Sequence, residues 1–316
     1  MIGLWEEPYD KSLLIQESAG MQRNVIQGTK KGARMKKQQI WKAFGLFTCI
    51  LLFFSGCSGK NTGAVSDNPG VKVTFFDVGK GDAILIETQK HTLLIDAGYE
   101  KTYQVIREYL VGQEIRKLDY LVVTHFDKDH VGGADWVVKD FEVGQILQPD
   151  YASDAGQYQE YCTALEEKGL QPIPLTETMQ FTLDGAKFCV YPPQKEAYDE
   201  EDNDFSLVIS MIYGEKSFLF AGDCEEERLK ELLEQTEFDL SHDVLKVPHH
   251  GKKEDNSEDF LRAVDPEAAV ITCSEKQPPG RKLYDMLQEM GVEVYLTSDG
   301  TVTCVCDGDT LQMIQG

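Results

Sequence analysis

From Val71 onward the sequence alternates short β-branched runs with amphipathic stretches, and this alternation constrains its fold more than any other feature. Strand-like runs, among them VKVTFF (71–76) and AILIET (83–88), open the segment and are separated by turn residues. The helix-like stretch TYQVIREYLVGQ (102–113) follows them. Strands interleaved with helices predict two β-sheets whose outer faces are covered by helices.

The second half repeats this order. FSLVISMIYG (205–214) and KSFLFAG (216–222) predict two paired strands, and CEEERLKELLEQ (224–235) predicts an amphipathic helix. No linker-like break interrupts residues 71–316. We therefore predict one domain of the α/β class, which some schemes call α+β, over residues 71–316.

The segment MKKQQIWKAFGLFTCILLFFSGC (35–57) has a basic start and a short apolar run from Ala43 to Phe54. This run is too short for a bilayer, which needs about 20 apolar residues, and the pattern is typical of a secretory signal. Its ending resembles a bacterial lipoprotein cleavage box and predicts lipidation of Cys57. A short membrane anchor or an uncleaved signal is the alternative.

These patterns divide the N-terminal region into three parts. The acidic residues before Met35 suit no signal start, so we expect translation to begin at Met35 and residues 1–34 to be an upstream extension. The small polar residues 58–70 predict a flexible tether. We expect an extracytoplasmic protein, held to the bacterial cell membrane by its lipid, with no stable protein partner implied.

The chain is strongly acidic, with a formal net charge of −23. Residues 58–316 hold 23 Lys and Arg against 50 Asp and Glu, a charge of −27. Because phosphate contacts dominate polynucleotide affinity, this balance argues against general nucleic-acid binding but leaves a local basic patch open. Buried free thiols are favoured over disulfides for the six cysteines of this region, Cys162, Cys189, Cys224, Cys273, Cys304 and Cys306.

The strand LDYLVVT runs directly into the motif His125-Phe-Asp-Lys-Asp-His130. Alternate side chains of an extended segment point the same way, so His125 and Asp127 can reach one point. Asp129 and His130, beyond a bend, can reach another. Imidazole and carboxylate together suit zinc or manganese. A polar turn without metal is the alternative.

The second half supplies matching groups at two further strand ends. Asp223 follows FLFAG, and His249 with His250 follows LKVP. Four of the six histidines thus fall in two loops, while His91 and His242 are expected to be structural. Side chains gathered from several strand ends make a common kind of metal site.

The ordered motifs VTFFDVGKGDAILI, TLLIDAG, LDYLVVTHFDKDHVGG, NDFSLVI, FLFAGD and LKVPHHG resemble those of the metallo-β-lactamase superfamily. More narrowly, they resemble the hydrolase domain of ComEC-type competence DNA-uptake proteins and their free-standing relatives. The resemblance covers nearly all of residues 71–314. It implies a four-layered αββα sandwich with two divalent metal ions, zinc or manganese, at one edge of the paired sheets.

The resemblance also implies a role for each matching residue. One metal takes His125 and Asp127, the other takes Asp129, His130 and His250, and the carboxylate of Asp223 bridges them. Asp129 would also accept the proton of the attacking water, and His249 would face the substrate. Asp96 would support the ligand loop, with backbone capping as an equal alternative. The remaining candidates border the site or its substrate: Asp77, Lys80, Asp82, Lys252 and Lys253.

Three departures from the family pattern bear on metal retention and substrate choice. No histidine lies between His130 and His242, where many superfamily members have a further ligand. Lys80 replaces a usual Gln, and Lys252 replaces a frequent Ser. Because that histidine is missing, we expect one metal to have fewer protein ligands and to be held more weakly. The two lysines put the identity of the substrate in question.

The predicted activity is metal-dependent phosphodiester hydrolysis. Two ions would lower the pKa of a shared water from about 15.7 toward 7. The substrate is DNA, by resemblance to the competence domain, or an envelope polymer such as a decorated teichoic acid. β-Lactam hydrolysis is disfavoured by Asp127, where such enzymes mostly have His. A non-catalytic surface-binding lipoprotein is the alternative of another class.

Overall fold

The computed structural model describes residues 70–198, 202–236 and 238–316. The predicted upstream extension, the signal segment 35–57, Cys57 and all of the tether except Gly70 lie outside the described residues. Within those residues, no helix is both long enough and apolar enough to cross a membrane.

Within the described residues, eight strands form the first sheet, in the order β15-β14-β1-β2-β3-β4-β5-β6. Strands β3 to β6 run parallel to one another, whereas β15, β14, β1, β2 and β3 pair antiparallel. The strands are β1 (Val71–Phe75), β2 (Ile84–Glu87), β3 (Thr92–Ile95), β4 (Lys117–Val122), β5 (Glu142–Pro149), β6 (Ile173–Leu175), β14 (Val302–Cys306) and β15 (Leu311–Gln315).

The second sheet, again counted over the described residues, has seven strands in the order β13-β12-β11-β10-β9-β8-β7. Strands β10 to β13 are parallel, and β7 to β10 pair antiparallel. The strands are β7 (Met179–Leu183), β8 (Ala186–Tyr191), β9 (Val208–Tyr213), β10 (Lys216–Phe220), β11 (Val244–Lys246), β12 (Ala268–Ile271) and β13 (Glu293–Leu296).

Helices cover the outer face of each sheet and produce four layers. Strand residues alternate between faces, so Leu93 and Ile95 enter the core between the sheets while Leu94 packs outward against helices. Phe75 and Phe220 meet across the inner core with ring centroids 6.1 Å apart. The first sheet carries α1 (Tyr103–Gly112), α2 (Ala134–Asp140) and α3 (Gly156–Lys168), and the second carries α4 (Glu226–Glu234), α5 (Ser257–Val264) and α6 (Arg281–Met290).

The predicted αββα sandwich is therefore confirmed, with one feature that a division into two sequential halves did not indicate. The C-terminal hairpin β14–β15 returns to the first sheet, where Val302–Cys306 pairs antiparallel with β1. All six cysteines of the described residues are free thiols, four of them buried. Each sheet has an edge formed by the carboxyl ends of its parallel strands. Proteins of the α/β class place their ligands at such edges.

Candidate metal centre

Four loops supply the predicted metal ligands together with Asp96 and His249, and each follows a strand of the parallel regions. Asp96 follows β3, the 125–130 motif follows β4, Asp223 follows β10, and His249 with His250 follows β11. Gly222, which precedes Asp223, lets the backbone pass close to Ser206. Its φ is +53°, and an added Cβ would lie 2.8 Å from the Cβ of Ser206. The fold thus brings residues from both sheets to one rim.

Asp129, His130, Asp223 and His250 form a compact group, which we call the Asp223 cluster. The Asp223 Oδ2 atom lies 2.8 Å from His250 Nε2 and 3.3 Å from His130 Nε2. His250 Nε2 is also 3.6 Å from Asp129 Oδ2. These separations suit side chains that share one ion at about 2.0–2.2 Å from each donor atom.

Three histidine nitrogens support this interpretation. The Nε2 atoms of His125, His130 and His250 are buried and make no hydrogen bond of regular geometry, and those of His130 and His250 face Asp223 Oδ2. A metal ion between imidazole nitrogens and a carboxylate oxygen would satisfy both kinds of atom. The donor set of imidazole nitrogens and carboxylate oxygens therefore fits divalent metal.

His125 and Asp127 lie at the edge of this group. His125 Nε2 is 4.0 Å from Asp127 Oδ2, and the Asp127 side chain is 42% exposed. Burial, with His130 nearby, holds the pKa of His125 well below its ordinary value, so its imidazole is neutral. Burial and the carboxylates of Asp129 and Asp202 raise the pKa of Asp127. This second position is the more open of the two.

Hydrogen bonds behind the histidines fix which nitrogen faces the cluster. Asp96, at φ 56°, accepts from the backbone and hydroxyl of Thr124 at 2.7 Å each, and it lies 2.8 Å from His130 Nδ1. Asp96 therefore both caps the backbone and orients His130. The Nδ1 atom of His250 lies 3.0 Å from the Thr272 carbonyl oxygen. Outer contacts of this kind direct Nε2 toward a metal.

Lys246 lies behind Asp223, and the sequence analysis did not single it out. Its ammonium is fully buried, donates to the Gly222 carbonyl at 2.7 Å, and pairs with Asp82 and with Asp223 Oδ1 at 3.2 Å. Burial alone would raise the pKa of Asp223, but His250, His130 and Lys246 hold it well below its ordinary value. Asp223 thus stays ionised, and Lys246 occupies Oδ1 while Oδ2 faces the histidines.

Asp82 is buried behind the centre rather than bordering the substrate side. It accepts from the Thr272 hydroxyl at 2.6 Å and pairs with Lys246. Its ligand atoms and those of His130, Asp223 and His250 all lie within 4.8 Å of one another. We nevertheless assign Asp129 to the ligand set and Asp82 to support, because Asp82 approaches the Nδ1 side of His250, at 3.7 Å.

Lys80 and Asp77 lie differently, although both belong to the same turn. Lys80 Nζ is 3.9 Å from Asp129 Oδ2, and the Tyr99 hydroxyl donates to the same oxygen at 3.5 Å. Burial and Asp129 raise the pKa of Tyr99 to about 12. Asp77 is exposed and hydrogen-bonds with Gly79 and Thr301 rather than with the ligand residues.

Comparison with known proteins decides the family. The profile of the metallo-β-lactamase superfamily matches residues 76–274. The chain belongs to the metallo-β-lactamase superfamily. It is 28% identical to ComE operon protein 3 of Bacillus subtilis over 254 residues, which are 73% of this chain and 32% of that protein. It is 30% identical to competence protein ComA of Neisseria gonorrhoeae over 73% of this chain and 31% of that protein.

The predicted resemblance to the competence-type domain is therefore confirmed, and the chain spans about a third of the length of these relatives. Among solved structures, CmlA, a diiron β-hydroxylase from Streptomyces venezuelae, aligns with a TM-score of 0.52. The two are 13% identical, and the alignment covers 78% of this chain and 54% of CmlA. At that identity the likeness concerns the fold alone.

A serine lies beside His125, in the stretch of sequence between His130 and His242 that contains no histidine. Ser206 Oγ is 3.4 Å from His125 Nδ1 and accepts from the backbone of Asp223 at 3.0 Å. Ser206 therefore supports two candidate ligands from behind. The His125 position has fewer protein donors than the Asp223 cluster.

His249 and Lys252 are held by carboxylates that the sequence analysis did not identify. His249 Nδ1 lies 2.7 Å from Glu225, and Lys252 Nζ lies 2.8 Å from Glu225 and 3.1 Å from Glu254. The contact with His249, and then that with Lys252, lowers the pKa of Glu225 to about 2 although burial opposes it. Glu225 follows Asp223 in the acidic stretch CEEE, which had the appearance of an ordinary first helical turn.

Proposed function

We propose that this protein is a divalent-metal-dependent phosphodiesterase. The observation that carries the proposal is the set of three buried Nε2 atoms, of His125, His130 and His250, that share one rim with the carboxylates of Asp129 and Asp223. Bound divalent ions would supply Lewis acidity and an activated water in such a site. The ligands would be His125 and Asp127 at one position and the Asp223 cluster at the other.

The remaining side chains fit a reaction at phosphorus. Asp129 lies against Lys80 and Tyr99, whose donors hold its carboxylate in place to accept a proton. Glu225 engages Nδ1 of His249, so Nε2 is the nitrogen left to bind a phosphoryl or leaving oxygen. Lys252 would compensate phosphate charge only after its contacts with Glu225 and Glu254 loosen.

Two substrates are proposed for this chemistry, outside the cytoplasmic membrane. DNA is supported by the similarity to proteins named for competence. The charge of −27 over residues 58–316 repels long polyanions, which include both DNA and the backbone of a teichoic acid, so the envelope proposal concerns a phosphodiester decoration on such a polymer. Binding to DNA that falls steeply with added salt would favour the first.

The test combines metal analysis with turnover. Purified protein is analysed for bound metals and assayed with bis(p-nitrophenyl) phosphate, with and without added manganese. We expect about two metals per chain and a loss of at least about 100-fold in kcat for Asp129→Ala. Asp285→Ala removes an exposed carboxylate from α6 and should leave kcat unchanged. No metal and no turnover under either condition would refute the enzyme and leave a surface-binding lipoprotein.

A further inference from the structure

A second group of metal-binding side chains lies beside the candidate metal centre: Glu225, His249 and Glu254, which we call the Glu225 cluster. One donor atom of each lies within 4.8 Å of the other two. His249 Nδ1 is 2.7 Å from Glu225 Oε1 and 3.9 Å from Glu254 Oε1. The ring centroids of His249 and His250 are 6.0 Å apart, so this cluster adjoins the Asp223 cluster and shares no residue with it.

The donor atoms of the Glu225 cluster are shielded from water and incompletely used. Its three side chains are between 6% and 15% exposed. His249 Nδ1 and Glu254 Oε1 are buried atoms that make no hydrogen bond of regular geometry. One imidazole nitrogen and two carboxylate oxygens suit manganese or zinc. An ion at about 2.0–2.2 Å from each donor would satisfy both atoms.

Neighbouring groups hold the two carboxylates of the cluster in place. The Asn203 side-chain amide donates to Glu225 Oε1 at 3.0 Å. The backbone N–H of Glu254 donates to Ser257 Oγ at 2.7 Å, and the Ser257 N–H donates back to the Glu254 carbonyl at 3.2 Å. Hydrogen bonds behind the ligands are a regular feature of metal sites, because they fix the direction of the donor atoms.

Lys252 supplies the positive charge between the two carboxylates. Its Nζ atom lies 2.8 Å from Glu225 and 3.1 Å from Glu254. The Lys252 side chain is 54% exposed, so its ammonium can move into water at little cost. A divalent ion in its place doubles the charge that faces the carboxylates and adds a bond to His249 Nδ1.

An acidic cavity of about 690 Å³ gives this cluster access to solvent. Glu225, Glu254 and Lys252 line it. Seven of its ten lining residues are Asp or Glu, and the other three are Lys. Walls with an excess of carboxylates concentrate cations and repel phosphate. The approach to the cluster therefore favours a metal ion over an anionic ligand.

We propose that the Glu225 cluster binds a third divalent ion, manganese or zinc, which displaces the Lys252 ammonium. The site has three protein donors and a lysine to displace, so it holds its ion more weakly than the Asp223 cluster does. Dialysis should remove this ion first and leave the two of the candidate metal centre.

The third ion would also change what His249 offers to a substrate, a consequence that rests on the proposed phosphodiesterase function. While Glu225 accepts from Nδ1–H, a neutral His249 has only a lone pair on Nε2, which cannot donate to a phosphoryl oxygen. An ion bound at Nδ1 places the proton of the neutral ring on Nε2, which then donates. Displaced Lys252 is free at the same time to compensate phosphate charge.

Manganese titration followed by electron paramagnetic resonance measures the third ion without turnover. The full chain is loaded with zinc, dialysed and titrated with manganese, which binds such donors less tightly than zinc and so leaves the zinc of the centre in place. We expect one manganese per chain. Glu254→Gln should weaken its binding by at least about tenfold, because a ligand is lost. Lys252→Met should tighten it by about tenfold, because no ammonium has to be displaced.

Matched controls remove the same charges from the same cavity. Glu226 and Lys230 are exposed and line it, but neither belongs to the cluster. Glu226→Gln and Lys230→Met should change the manganese Kd by less than about threefold. Absence of a third ion would overturn the site. Manganese binding that ignores Glu254→Gln and Lys252→Met, or that follows the controls equally, would also overturn it.

Turnover of bis(p-nitrophenyl) phosphate tests the consequence for His249. The rate should rise with manganese over the range in which the third ion binds, and the half-maximal concentration should fall about tenfold in Lys252→Met. Binding of the ion with no change in rate would overturn the role given to His249 and keep the site. Binding of the ion by a protein that hydrolyses no ester would overturn the phosphodiesterase and keep the site.

Discussion

Replacing Lys246 by Met tests how the metal centre maintains its buried charges. The substitution keeps the length of the side chain but removes an ammonium that pairs with Asp82 and Asp223 and donates to the Gly222 carbonyl. Both carboxylates are buried, so neither gains compensation from water. Removing one partner of a buried ion pair costs about 3–5 kcal/mol. We expect that loss of unfolding free energy in metal-free Lys246→Met.

Bound metal should reduce this cost. A divalent ion beside Asp223 compensates the charge of the lost ammonium. The remaining loss of unfolding free energy then comes mainly from the unpaired acceptors of Asp82 and Gly222 and is about 1–3 kcal/mol. The destabilisation should therefore be smaller by about 2 kcal/mol with metal than with chelator. The same difference implies metal binding about 30-fold tighter in Lys246→Met than in the parent protein.

The assay is urea unfolding with chelator and with saturating zinc or manganese, together with a chelator-competition measurement of the metal Kd. Lys216→Met is the matched control, because Lys216 pairs with Asp243 and Glu267 near the surface and should cost at most about 1 kcal/mol in both conditions. Equal destabilisation of Lys246→Met with and without metal would refute the reasoning, as would weaker metal binding.

Three further perturbations have definite expectations. Asp96→Asn removes the carboxylate acceptor behind His130 and should weaken metal binding about 10–100-fold in a chelator competition, with the fold retained by circular dichroism. Burial lowers the pKa of His130, but Asp223, Asp96 and Asp82 raise it well above its ordinary value, so metal must displace a proton. Metal affinity should then rise by about tenfold per pH unit between pH 6 and 8, and a flat profile would contradict this. Phe220→Ala should lower the unfolding free energy in urea by about 3–5 kcal/mol, because its ring lies in the core between the sheets.

Local sequence signals predicted the parts of the site that depend on strand ends. The motif from His125 to His130, Asp223 and the pair His249-His250 each interrupt an apolar run at its end. The carboxyl ends of parallel strands lie at one edge of a sheet. That these residues lie close together could therefore be predicted from the order of strands along the chain. The structure brings these residues together and places Asp127 at the open side.

Other parts depend on partners that no local pattern identifies. Lys246 interrupts a buried strand, and its partner Asp82 lies far away in the chain and in the other half of the sandwich. Glu225 has the sequence context of a helix start, yet it binds His249. Pairing of β14 with β1 likewise joins the two ends of the described domain. These contacts are long-range consequences of the fold.

From the buried charges we expect so acidic a centre to fold without metal. Asp82, Asp96 and Asp223 lie together with less than 3% of their surface exposed. Burial raises the pKa of Asp96, while Lys246 and the histidines hold the pKa values of Asp82 and Asp223 below their ordinary value. Ionised carboxylates at that depth would be prohibitive without cations, and Lys246 with protonated His130 supplies them. Metal binding then exchanges the His130 proton for a divalent ion within a folded site. Metal should accordingly raise the free energy of unfolding of this protein without being required for its secondary structure. Small zinc domains differ, because they unfold when the ion is removed.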